Sequence, residues 1–216
     1  MDATPGPAPN LADGWVDRPL FPLGSVLFPG GLLPLKIFEA RYLDLIGRCL
    51  REGLTFGVVA MTRGGEVRQA GESVAFASVG CLAEVMACDS EQAGILHVRC
   101  RGLQRFELEQ PRQHEDGLWE AATRALPGDA PTPPGPQAAG CVAALERAVA
   151  ALGAQGHRPF LEPLQFDDAG WVANRWCELL PISLAAKQRL MVLDEPVLRL
   201  KLVDEFLRSK GVLQAG

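Results

Sequence analysis

The hydrophobic rhythm of the chain changes three times, and each change marks a different kind of structure. From Glu39 onward, apolar residues recur at Tyr42, Leu45, Ile46, Cys49 and Leu50, the i, i+3, i+4, i+7, i+8 stripe of a helix. Glu39 stands in its first turn, Arg48 and Arg51 in its last and Gly53 just beyond, so the charges complement the macrodipole at both ends. Upstream, Pro22, Pro29 and Pro34 fix φ and remove ladder donors. Leu23 to Leu27 is therefore at most a short or edge strand, and Pro29-Gly30-Gly31 a turn. Between residues 53 and 125 the period becomes that of strands. Leu54 to Met61 is an apolar run, and Leu96, Val98 and Cys100 alternate with His97, Arg99 and Arg101 along a half-buried strand. Breaks are expected at Thr62 to Glu66 and Asp89 to Gly94. Leu103, Phe106 and Leu108, then Leu118 to Ala125, supply further strands, with Pro111 to Gly117 as a polar connection. The Gly-rich insertion between Met61 and Val79 has few apolar anchors to fix its register.

The third change is abrupt. Pro127 to Pro136 is too rich in proline for a helix or a ladder and reads as a semi-stiff linker. Beyond it the period is helical: Ala138 to Leu152 with Val142, Leu145 and Val149 on one face, Gly170 to Leu180, Ser183 to Leu193 capped by Ser183, and Pro196 to Lys210 with Pro196 in the first turn. The predicted fold class is α+β: an N-terminal antiparallel β pseudobarrel with one early helix, then a small helical bundle. The expected divisions are a disordered leader at 1–15, a β-rich subdomain at 16–126, the linker at 127–137 and a helical subdomain at 138–212.

One dense stretch and several later steps then carry a resemblance. Phe28-Pro29, Pro34-Leu35, Phe38-Glu39 and Arg41-Tyr42 fall within twenty-two residues, from Phe21 to Tyr42, in the order in which they open the N-terminal substrate-binding domain of Lon proteases. Further on, the Phe56-Gly57 pair, Val79-Gly80, Gly102-Leu-Gln-Arg105-Phe106, Leu179-Leu180-Pro181 and Arg199-Leu200 resemble later steps of the same domain, so that the likeness spans roughly residues 17 to 210. It implies a PUA-like β pseudobarrel followed by helices, in agreement with the order read from periodicity. It also implies that Pro29, Glu39, Arg41, Gly80, Gly102, Arg105 and Phe106 are structural positions of the motif. The phosphate-cradling loop of an ATPase needs a Gly-Lys pair, and none occurs in the sequence. The expectation is a stand-alone recognition domain with no ATPase, no protease and no catalytic residue. Its partners would be unfolded or apolar polypeptide segments and a Lon-type protease or another protein machine. Phe28, Leu33, Phe38 and Tyr42 are the candidate peptide-binding residues, where the Pro-interrupted strand meets the first helix. Each has a competing place in the core, and Glu39, Arg41 and Tyr42 have the competing task of orienting their helix on its sheet.

Composition narrows the alternatives. A net charge of −5 and a 48% hydrophobic share suit an ordinary globular protein, no apolar run of membrane-spanning length occurs, and the acidic, proline-containing start is unlike a signal peptide; a cytoplasmic location is expected. The six cysteines include no closely spaced pair, so no metal site or cofactor is expected and buried reduced thiols are. Only a meeting of Cys81, Cys88 and Cys100 across strands would suggest otherwise. Gly71-Glu-Ser73-Val-Ala75 departs from the nucleophile elbow, with nothing helical following Ser73. His97, His114 and His157 are scattered, and the carboxylate pairs Glu107/Glu109 and Asp167/Asp168 read as solvated faces. Two other functions stay open. His97, Arg99, Arg101 and Arg105 beside Phe106 could bind RNA, against the acidity of the chain, and the helical half could serve self-association.

Overall fold

A computed structural model describes residues 14–63 and 74–213. Most of the expected leader, the centre of the Gly-rich insertion and Ser73 lie outside the described residues. The chain runs β1 (Val16–Leu23), β2 (Leu32–Ile37), α1 (Ala40–Glu52), β3 (Phe56–Arg63), β4 (Ala75–Phe76), β5 (Val79–Gln92), β6 (Ile95–Gln113) and β7 (Trp119–Ala125). The helices α2 (Ala139–Ala154), α3 (Ala169–Leu179), α4 (Leu184–Val192) and α5 (Pro196–Ser209) follow a short 3₁₀ turn at Pro136–Ala138. The fold is α+β.

The sheet is a ring. Its order β1-β7-β6-β5-β3 is antiparallel throughout and is closed by a parallel pairing of β1 with β3, Leu20 opposite Gly57. β6 is long enough to serve two neighbours on one side, β2 along Leu96–Arg101 and β7 along Phe106–Gln113. Leu103, Phe106 and Leu108 all belong to this one strand, which also takes in Pro111, while the expected strand at Leu118 to Ala125 is β7. The first strand lies upstream of its expected place: Leu23 ends it, and the segment after it contains no strand before Leu32. Pro19 and Pro22 are tolerated because β1 pairs with β7 only up to Leu20 and with β3 only from Leu20, leaving each proline one strand neighbour; Pro34 sits in β2, an edge strand.

Alternating side chains feed two cores. Leu20, Val59, Leu82, Phe106 and Leu108 share one, and Phe21, Val58, Cys81, Val98 and Cys100 pack with the helical stripe Tyr42, Leu45, Ile46 and Cys49 in the other. Leu50, expected on that stripe, is half exposed. α1 begins after Glu39 rather than at it, and Gly53, at φ 65°, closes it in the left-handed conformation. Gly80 is required by packing: a Cβ there would stand 2.5 Å from Phe106 Cζ and 2.6 Å from the Val58 carbonyl.

A third core holds the helices together and reaches into the barrel half, including Phe28 and Val79 beside Leu145, Trp171, Val172, Cys177 and Leu207. Three buried arginines tie this junction. Arg175 of α3 donates to the carbonyls of Pro29 (2.9 Å) and Gly30 (2.5 Å) and to Glu178 at 2.8 Å. Arg105 of β6 donates to Met191 (3.0 Å) and Leu193 (3.2 Å) at the end of α4 and to Pro127 at 3.1 Å. Arg199 of α5 donates to the Leu190 and Leu193 carbonyls and to Asp129 at 2.5 Å, which also stands 3.6 Å from Arg105. The turn ahead of β2 is docked on β6 as well, through reciprocal 2.8 Å bonds of Gly102 with Gly30 and Gly31; a side chain at Gly102 would strike the Phe28 carbonyl.

Two outcomes test this junction. Asp129→Ala leaves Arg199 without its counter-charge and is expected to destabilise the fold by about 3 kcal/mol. Barrel and helices should still unfold in one transition, seen as coincident urea curves by circular dichroism and tryptophan fluorescence. Burial pushes the Glu178 carboxyl up from 4.5 to about 7, against the pull of Arg175 and Lys187. A raised carboxyl favours the protonated folded state, so stability falls as pH rises from 4.5 to about 7 and is level above. The stability difference between wild type and Glu178→Gln should therefore change by up to about 3 kcal/mol across that window, measured by denaturant titration at several pH values.

Candidate functional site

The candidate residues converge where the strand-to-helix corner turns. A groove of 300 Å³ opens between the end of β1 and β2 under the first turn of α1, walled by Phe21, Leu23, Leu33 and Tyr42 with Phe38 among its lining residues. Phe38 is 62% exposed, since it lies between the last residue of β2 and the start of α1. Leu33 is half-buried on β2, and Tyr42 is buried with its ring stacked on Phe21 at 4.1 Å. Phe28 does not join them. It is fully buried in the helical core, because the turn that carries it folds back under α3. Phe21 takes its place in the groove; the sequence signal was its position at the start of the same apolar segment.

The motif charges around the groove hold the helix. Arg41 pairs with Glu39 at 2.6 Å, donates to the Gly117 carbonyl at 2.8 Å and lies 4.7 Å over the Tyr42 ring, tying α1 to the β6–β7 connection. Among the described residues the outer edge of β2 has no strand neighbour, and Pro34 interrupts its donors.

The arginine stripe does not form as expected. His97, Arg99 and Arg101 are exposed on β6, but Arg101 is paired with Glu84 at 2.6 Å and Arg105 is buried in the junction, where carbonyls and Asp194 (3.2 Å) occupy it. Alternation along the strand predicts Arg105 outward; the register shift between Cys81 and Ala83 on the neighbouring β5 falls beside it, where β6 passes from β2 to β7. Asp168, expected on a solvated face, caps α3 by accepting from Trp171 N at 2.6 Å and also from Thr132 N. Glu107 pairs with Arg124, and His114 with Glu120 at 2.5 Å. Arg112 holds Asp17 and Glu120; its hydrogen bond is the main reason the Asp17 carboxyl lies below its usual range.

Comparison with known proteins follows the same outline. The sequence profile of the ATP-dependent protease La (LON) substrate-binding domain matches residues 17–209. The chain belongs to this family. A Lon N-terminal domain protein from Xanthomonas campestris has the same fold with a TM-score of 0.70 at 30% identity, over 88% of this chain and 98% of that one. The N-terminal domain of the Mycobacterium avium complex Lon protease, 13% identical, gives a TM-score of 0.59 over 89% and 98% and shares the fold. Protein cereblon of Gallus gallus is 31% identical over 105 residues, which are 47% of this chain and 22% of cereblon, so the likeness spans about a fifth of that relative. Within this Lon substrate-binding domain, Arg105 and Phe106 of the Gly-x-x-Arg-Phe step have packing tasks, and among the described residues no helix is long and apolar enough to cross a membrane.

All six thiols are free, and no cluster of metal-ligating side chains occurs among the described residues. Burial pushes Cys81, Cys100, Cys141 and Cys177 up to about 12 and raises Cys49 and Cys88. Cys88 alone is not buried. A thiol reagent at pH 8 should label Cys88 first and the other five only after denaturation, read by intact-protein mass spectrometry; fast labelling of two or more would contradict this packing.

Proposed function

We propose that this chain recognises unfolded or exposed apolar segments of polypeptide without chemical change, as a substrate-binding or adaptor domain. The observation that carries the reading is Phe38, a large apolar side chain 62% exposed at the groove formed with Phe21, Leu33 and Tyr42. An apolar side chain of an extended segment would lie against these rings, while Arg41 and Glu39, engaged with each other, keep the helix that bears Tyr42 in place. The family supports this, its domain being described as substrate-binding. Ordering an extended segment costs roughly 2–5 kcal/mol, so affinity is modest and several apolar contacts are needed. Delivery to another machine in the cytoplasm, a Lon-type protease being one partner of suitable kind, completes the proposal.

The test is fluorescence anisotropy with a labelled, permanently unfolded model protein at two salt concentrations, using its folded counterpart and a single-stranded RNA as competitors. Saturable binding that neither competitor displaces and salt barely weakens is expected. Phe38→Ser should weaken it roughly tenfold, the equivalent of about 1.4 kcal/mol of lost apolar contact, and leave the unfolding curve unchanged. Displacement by RNA with a steep loss in salt would overturn the reading.

A further inference from the structure

The groove beside α1 meets the edge of a strand as well as a set of side chains. Side chains alternate along a strand, so a hollow on one face of a sheet touches every second residue. This one is lined by the consecutive residues Leu33, Pro34, Leu35, Lys36, Ile37 and Phe38, with the end of β1 opposite. A hollow that runs along the free edge of β2 meets both faces in turn.

The hydrogen-bond pattern says which groups that edge presents. Gly102 of β6 donates to the Gly31 carbonyl at 2.8 Å, and the register continues with Leu32 opposite Arg101. Backbone groups of an antiparallel strand point alternately to its two sides, so those of Leu33, Leu35 and Ile37 are directed at β6. Those of Leu32, Pro34 and Lys36 are directed outward, and among the described residues no other backbone or side-chain group is bonded to them. Pro34 belongs to the outward set, where its missing N–H costs the β2–β6 ladder nothing.

The two faces of the strand differ in chemistry. Leu33, Leu35 and Ile37 pack with Phe21 and Tyr42, whereas Pro34 and Lys36 are exposed opposite Arg99 and His97 of β6. Arg101 is taken by Glu84, and Asp89 stands opposite His97 on β5; Lys36 and Arg99 have no ion-pair partner among the described residues. A second copy of this edge would bring proline and lysine against the same residues, a combination that discourages pairing. An acidic side chain on that face, between apolar ones turned to Phe21 and Tyr42, complements both. We infer that an extended polypeptide segment with an acidic residue between apolar ones joins the sheet as a strand along β2, its backbone paired with Leu32, Pro34 and Lys36 and its carboxylate beside Lys36 and Arg99. The inference rests on the polypeptide recognition proposed above and supplies its main-chain part.

The probe is a labelled peptide alternating leucine and glutamate, titrated by anisotropy into the full chain, together with two isomers N-methylated either at every leucine or at every glutamate. An added strand has one side paired with β2 and one side free, so it tolerates methyl groups on one set of residues only. One isomer should bind like the parent and the other about tenfold more weakly, one hydrogen bond's worth. Weakening of the glutamate isomer marks antiparallel pairing, and of the leucine isomer parallel pairing. Lys36→Glu, an exposed change, should weaken the parent about fivefold and bind a leucine-lysine peptide better than wild type does. Isomers that bind alike, a parent that does not bind, or a parent bound equally by Lys36→Glu overturns the inference. So does a dimer, seen by sedimentation velocity, that excludes the peptide because a second copy covers the edge. The groove reading survives any of these if the unfolded model protein still binds wild type and loses affinity with Phe38→Ser. No binding of that protein or of the peptide to wild type removes both.

Discussion

Three guanidinium groups buried against backbone carbonyls hold this molecule in one piece. A turn, a linker and a helix end all present carbonyl oxygens that neither a ladder nor a helix satisfies, and burying them unpaired would be costly. Arginine meets that demand better than lysine, because its planar fork reaches two or three oxygens at once and its charge is comparatively weakly hydrated. Arg175 secures the Pro29-Gly30 turn, Arg105 the end of α4 and the linker, and Arg199 the same helix end from the other side. Asp129 lies between the last two and supplies the negative charge that makes their burial tolerable.

The groove depends on these anchors without containing them, whereas the cleft between barrel and helices is lined by two of the residues involved, Arg105 and Asp129. The turn fixed by Arg175 leads directly into β2, so the wall of the groove is set by a contact with α3 on the far side of the chain. Asn174, also in the lining of the cleft, is oriented by Arg199. A rigid base with binding groups at its edges suits recognition of disordered segments, since the ordering penalty then falls on the ligand alone.

Much of the architecture was legible from local pattern. The α1 stripe, the alternation of Leu96, Val98 and Cys100, the Ser183 cap and Pro196 at a helix start all stand where periodicity and capping chemistry put them. Less was legible where a residue's neighbour is remote in sequence. Phe28 and Phe38 are both aromatic residues in the same motif, and one is core while the other is exposed. What separates them is whether the backbone turns under α3, nearly 150 residues away along the chain in the bond from Arg175 to Pro29 (|i−j| of 146). Arg105 resembled its strand neighbours Arg99 and Arg101 until the strand changed partners.

The sequence by itself determined the order of elements, the α+β class and the family, because spacing, proline placement and capping act over a few residues and leave their mark in any window of that size. Only the tertiary structure decided which members of the motif are exposed and that the barrel closes through a parallel β1–β3 pairing. It also decided that the proline-rich segment is pinned by Asp129 rather than free. Those outcomes are set by burial and by carbonyls seeking donors across long loops, where the competing partners lie far apart in the chain and are compared only once it has folded.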